Sequence, residues 1–149
     1  MITEFKMILE TSHKNKDISL LINDVVGRPF SFIKTIKMKG SISKRMIIED
    51  SSPNLKAYLN RAFDPTLANI ELRPLGILIR IIKGLSNFTW VIPYYQLDIY
   101  KSNSNHIYSQ GRFIRFRLDK NFKENKHFFD KLFILKEKYK AKYGFLKFK

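Results

Sequence analysis

Gly111-Arg-Phe-Ile-Arg-Phe-Arg-Leu118 is the stretch whose residue types come nearest to a recognisable chemistry. Read as a strand, it places Arg112, Ile114, Phe116 and Leu118 on one face and Phe113, Arg115 and Arg117 on the other. Ile114, Phe116 and Leu118 are then core residues, and the opposite face sets an aromatic ring between guanidinium groups. Such a face stacks a nucleic-acid base on Phe113 and neutralises phosphate with Arg115 and Arg117, and Arg112 at the start of the strand is assigned to the same polyanion surface. A solvated sheet face kept soluble by arginines accounts for the same pattern. Lys136, Lys138, Lys140, Lys142, Lys147 and Lys149 crowd the C-terminus. Cations there complement a helix dipole. They also extend a polyanion surface, to which Lys136 and Lys140 are assigned.

A second constellation is aromatic. Trp90, Tyr94, Tyr95 and Tyr100 fall on one predicted strand, where they line a groove or pack as core and edge. Trp90 and Tyr94 are the groove candidates. His13, His106 and His127 lack metal-ligand spacing, and the chain has no cysteine, so no metal and no thiol chemistry is expected. Nucleophile elbows, phosphate-cradling glycine loops and dinucleotide fingerprints do not occur, and no cofactor is expected. Asp64, Glu71 and Asp98 lie on separate elements; an enzyme would need them to converge in space.

The elements that position these residues read as follows. Ile18–Val26 is a short apolar run of helix or strand, closed by Gly27-Arg-Pro29. Phe30, Phe32, Ile36 and Met38 alternate loosely and predict a half-buried strand. Lys39 to Arg45 reads as a linker. Ser51 to Phe63 predicts a helix with Pro53 in its first turn and Leu55, Leu59, Ala62 and Phe63 on one face, ended by Asp64-Pro65. Strands follow at Asn69–Arg73, Ile77–Ile82, Phe88–Tyr100, His106–Ser109 and Arg112–Leu118, joined by short turns. Pro93 marks an edge, bulge or bend. Asn121 with Glu124 resembles a capping box opening a terminal helix of about five turns, with Phe128, Leu132, Leu135 and Tyr139 along its stripe and Gly144 as its cap. Short turns favour antiparallel neighbours. The class is α+β, a bent antiparallel sheet closed by a C-terminal helix and preceded by a short helix.

Length and composition set the frame. The 149 residues suit one core, and 44% hydrophobic with 14% aromatic content is enough to fill it. Residues 1–45 read as an appendage and 46–149 as a compact basic domain. Net charge is +15, of which residues 101–149 carry +10. Clustered positive charge attracts polyanions. The N-terminus lacks a signal-like apolar region, and the uncharged stretch Gly84–Leu97 is too short to span a bilayer; a soluble, cytoplasmic protein is expected.

Asn69-Ile-Glu-Leu-Arg-Pro-Leu-Gly-Ile-Leu-Ile-Arg80, Trp90-Val-Ile-Pro-Tyr-Tyr95 and Gly111-Arg-Phe-Ile-Arg-Phe116 together resemble small bacterial proteins that are similar in turn to bacterial pleckstrin-homology-like domains. The resemblance covers about residues 54–143. It implies a bent sheet, PH-like or split-barrel-like, closed by the terminal helix. It carries no catalytic residue and no ligand. The arginine strand also resembles the aromatic strand of an RNA-recognition motif, but its glycine and aromatics stand in another register and the βαββαβ order is missing. The leading expectation is a non-enzymatic module whose basic surface meets nucleic acid or an acidic protein. The alternatives are a PH-like peptide adaptor using Trp90, Tyr94 or a sheet edge, and an enzyme with converging carboxylates.

Overall fold

A computed structural model describes residues 7–59 and 65–143. Seven strands form one antiparallel sheet: β1 (Ile8–Glu10), β2 (Met46–Ser51), β3 (Thr66–Leu72), β4 (Gly76–Lys83), β5 (Ser86–Pro93), β6 (His106–Ser109) and β7 (Arg112–Phe116). Their order is β1-β5-β4-β3-β2-β7-β6. The helices are α1 (Lys16–Val26), α2 (Phe32–Met38), α3 (Lys120–Lys123) and α4 (Lys126–Tyr143).

The turns follow from backbone requirements. Gln110 and Gly111 both have positive φ, 56° and 71°, in the two-residue connection of β6 to β7. That twist matches antiparallel strands. Gly76 opens β4 at a place where a β-carbon would overlap the Ile92 carbonyl oxygen and lie 2.7 Å from Val26 Cγ1. β4 is buried on both faces, as its β-branched run predicts. β5 stops at Pro93, and Tyr94–Gln96 form a 3-10 turn instead of continuing the strand. The Val91 N–H reaches Met7 O. Pro93, two residues on, has no N–H to offer and is the last residue of the strand. Leu97 and Ile99 are still buried, but Tyr95 is half exposed.

Alternation separates two faces. Met46, Ile48, Ala68, Ile70, Ile79, Trp90, Ile92, Ile114 and Phe116 share one core with Phe128, Phe129 and Leu132 of α4. The other face carries a smaller cluster, Leu78 and Val91 under Ile22 and Val26 of α1. The sheet curls around the larger core. β1 and β6 are its two ends, yet Gln110 at the tip of β6–β7 accepts hydrogen bonds from Met7 N–H (3.1 Å) and Trp90 Nε1 (3.0 Å) and donates to Val91 O (2.9 Å). A side chain, not a ladder, joins the edges, so the sheet is bent and unclosed.

Several local expectations are corrected. Phe30–Met38 is no strand: Ser31 Oγ accepts from Lys34 N–H and starts α2 at Phe32. Phe30 and Met38 reach the core, whereas Phe32, Ile33 and Ile36 are exposed. The helix placed at Ser51–Phe63 is a six-residue 3-10 helix, Pro53–Tyr58, after which Leu59 is extended. Ala62, Phe63, Asp64, Gly144, Lys147 and Lys149 lie outside the described residues. The terminal helix is split. Asp119, not Asn121, caps α3 by accepting from Phe122 N–H, and buried Asn125 interrupts the chain before α4. Asn125 is held there because its amide both accepts from and donates to the backbone of Lys44. β7 ends at Phe116, leaving Leu118 64% exposed rather than core. The segment before residue 46 supplies β1, α1 and α2, with Val26 fully buried.

Candidate functional site

The basic residues singled out at β7 and α4 are not brought to one face. Ile114 and Phe116 point into the core that α4 covers. Phe113, Arg115 and Arg117 therefore project from the opposite face of the sheet, away from Lys136 and Lys140 on α4. Acids from β2 also stand beside them. Arg115 Nε lies 3.4 Å from Glu49 and its Nη2 3.9 Å from Asp50; Arg117 Nε lies 3.9 Å from Glu49. The Ser51 backbone N–H and the Lys56 ammonium hold the Asp50 carboxyl below its usual range, with a smaller contribution from Arg115. Phe113 is half-buried against Tyr108, ring centres 5.7 Å apart. Arg112 sits on the Ile114 side, its Nε and Nη1 buried without a hydrogen-bond partner among the described residues.

Trp90 and Tyr94 line no groove. Trp90 is fully buried, and the Tyr94 hydroxyl donates to Arg73 O at 2.9 Å. Burial pushes the Tyr94 phenol far above its ordinary range. The outer edge of β6 is occupied too, since Tyr108 exchanges both backbone hydrogen bonds with Asp98. Glu71 and Asp98 are far apart in the strand order, on β3 and beside β6. Among the described residues no group of three or more His, Asp and Glu side chains could hold a metal ion.

What the structure assembles instead is a cleft of about 620 Å³ between α1 and the face of the sheet opposite α4. Its floor is a single cross-strand row. Arg80 pairs with Asn69 on one side and with Thr89 on the other. Met46 pairs with Ala68, so Arg45, one residue earlier, continues that register opposite Asn69. Strands lie about 4.8 Å apart, so the backbones of Arg45 and Arg80 stand about 10 Å apart with Asn69 between them. Lys14, just before α1, forms part of the wall. Arg73 lies deeper in the lining, and no carboxylate belongs to it among the described residues.

One buried acid lies beneath. Glu71 contacts Arg73 Nε and Arg80 Nη1, each at 2.6 Å. Arg73 Nη1 also donates to Asn23 Oδ1 (3.0 Å) and Gly27 O (2.8 Å), which ties the end of α1 to β3. Glu71 therefore fixes Arg80 in place while cancelling one charge of the group. The N-terminus of α1 is not itself open to an anion, because Asn15 Oδ1 accepts from the N–H groups of Asp17 and Ile18. The cations that face the cleft are side chains: Arg45 is exposed, and Arg80, paired with Glu71, is partly so. Asn69 Oδ1 is buried and has no donor among the described residues.

Sequence reading missed this site, although it left a trace. Arg80 is a lone cation within Ile77–Ile82, and a charge in a central strand requires a partner. Arg45 sat at the end of an apparent linker.

No protein-family model, no curated protein and no solved structure matches the chain. No helix among the described residues is long and apolar enough to cross a membrane.

Proposed function

We propose that the protein is a non-enzymatic binding module whose basic surface takes a small anionic ligand in the cleft beside α1. The observation that carries this reading is the row Arg45–Asn69–Arg80 on the cleft floor, with Lys14 on the wall and no carboxylate in the lining. Two guanidinium forks flanking one position suit an oxyanion, since each fork offers parallel donors. The half-enclosed setting lowers the screening that weakens such contacts on an open surface. Binding rather than turnover is favoured because His13, the candidate general base of the lining, has no carboxylate or other hydrogen-bond partner among the described residues to orient it. The basic strip on β7 supports polyanion binding less well, because Glu49 and Asp50 lie within 4 Å of its guanidinium groups.

Calorimetric titration of the intact protein with inorganic pyrophosphate at low salt tests the proposal. Wild type should bind, and Arg45→Gln should weaken binding by about tenfold and flatten its salt dependence. Arg45 is exposed and makes no ion pair among the described residues, so this variant should keep its stability. Absence of binding, or equal binding by Arg45→Gln, would overturn the reading.

A further inference from the structure

We propose that the occupant of the cleft is a phosphate monoester on a small polyhydroxylated body, the chemistry shared by sugar phosphates and the sugar-phosphate part of nucleotides. This rests on the anion-binding reading above and narrows it by three observations.

The first is charge. Lys14, Arg45, Arg73 and Arg80 line the cleft, and Glu71 beneath offsets one of them. The remaining excess suits a dianion better than a single carboxylate. A phosphate monoester also has three terminal oxygens, enough to engage both arginine forks at once.

The second is size. About 620 Å³ is a volume typical of sites that hold a whole organic molecule, so a phosphate group alone leaves most of the cleft unfilled. The ligand needs a body.

The third is the surface that body would meet. Beyond the cations, most lining residues carry a hydroxyl or amide group, and His13, Ile18, Ile22, Pro29 and Ile82 supply the rest. Ser19 and Asn87 line it with side chains that form no hydrogen bond within the described residues. Asn69 Oδ1, between the two arginines, lacks a donor among the described residues, and a turn of its amide presents either end to the cleft. With its oxygen turned to the cleft, the amide accepts from a ligand hydroxyl next to the phosphate. The aromatic ring in the lining is the His13 imidazole, with no Phe, Tyr or Trp beside it among the described residues, so a flat base meets at most that small ring, and the apolar members, such as Ile18 and Ile82, do not make an acyl-chain tunnel.

The test compares inorganic phosphate, methyl phosphate, ribose, ribose 5-phosphate and adenosine 5′-monophosphate by titration calorimetry on the intact protein. Ribose 5-phosphate should bind at least about tenfold more tightly than methyl phosphate, because a site built to pair with hydroxyls discriminates against a ligand lacking them. Ribose alone should bind only weakly. Asn69→Leu should erase the preference, so that the variant binds ribose 5-phosphate no more tightly than methyl phosphate. Thermal melting of that variant confirms that it folds. Equal affinity of adenosine 5′-monophosphate and ribose 5-phosphate assigns recognition to the sugar phosphate; a further tenfold gain from the base assigns it to a nucleotide. Equal binding of methyl phosphate and ribose 5-phosphate would overturn the inference and leave the anion reading standing. If no phosphate binds, both fall.

Discussion

Gln110 Oε1 accepts a hydrogen bond from Trp90 Nε1 at 3.0 Å, and through this contact the tip of the β6–β7 hairpin is fastened to β5 next to the opposite edge of the sheet. The same amide takes Met7 N–H and gives to Val91 O and Gln96 Oε1. Four hydrogen bonds on one side chain substitute for the strand pairing that would have closed a barrel.

Gln110→Ala should therefore cost more than an ordinary turn substitution. It strands the Trp90 and Met7 N–H groups and the Val91 carbonyl, each worth about 1–3 kcal/mol when buried and unmet. Partial rehydration as the edges part should hold the loss to about 3 kcal/mol. Urea denaturation reads it, and Trp90 emission should shift to the red as water reaches the indole. A loss below about 1 kcal/mol with unchanged emission would show that the clasp is incidental.

Glu71→Gln keeps the shape of the side chain but removes the charge that two guanidinium groups share. Breaking a buried ion pair by removing one partner costs about 3–5 kcal/mol. Arg80 can turn toward water, so the lower end of that range is expected. The loss should change little between low and high salt, because the contact is shielded from solvent. A strongly salt-dependent or sub-kilocalorie effect in chemical denaturation would contradict the burial of this triad.

Gly76→Ala and Gly40→Ala separate two glycine roles. At Gly76 the added methyl meets the backbone of Ile92 and Pro93 as well as Val26, and rigid atoms cannot yield cheaply. About 2–3 kcal/mol of destabilisation is expected. Gly40 has open space but φ of +99°, so only backbone strain remains, about 1 kcal/mol. Denaturation midpoints of the two variants should fall in that order.

Tyr94 predicts an alkaline limit to stability. Its phenol is buried and its folded pKa is raised, so the folded state favours the protonated form. That stabilisation is complete below the unfolded value of about 10 and is lost as pH rises from there through the folded value. Tyr94→Phe forfeits the bond to Arg73 O and should be about 1 kcal/mol less stable at neutral pH. Above pH of about 10 the gap between the two proteins should narrow and then reverse. A gap constant from pH of about 7 to 11 would show that the phenol ionises without cost.

Local pattern was sufficient wherever one element carried its own period or turn chemistry. β6 and its Gln110-Gly111 connection, the buried run of β4, and the Phe128–Leu132 stripe of α4 all follow from neighbours within a few residues. The α+β class, the antiparallel pairing and the closing helix come from the same source. The sequence misled where two periods fit a short segment. Phe30, Phe32, Ile36 and Met38 alternate like a strand, and only the Ser31 cap with the docking of Phe30 and Met38 makes the stretch helical.

The site was decided by tertiary structure. Arg45, Asn69 and Arg80 are separated by 24 and 11 residues of chain, and they become neighbours only through the register of β2, β3 and β4. The same sheet sends Arg115 and Arg117 to the face opposite Lys136 and Lys140 and lays Glu49 beside them. Charge is a property of residues and can be counted along a chain. An electrostatic field depends on which residues share a face and which acids pair with them, and strand order and curl set both.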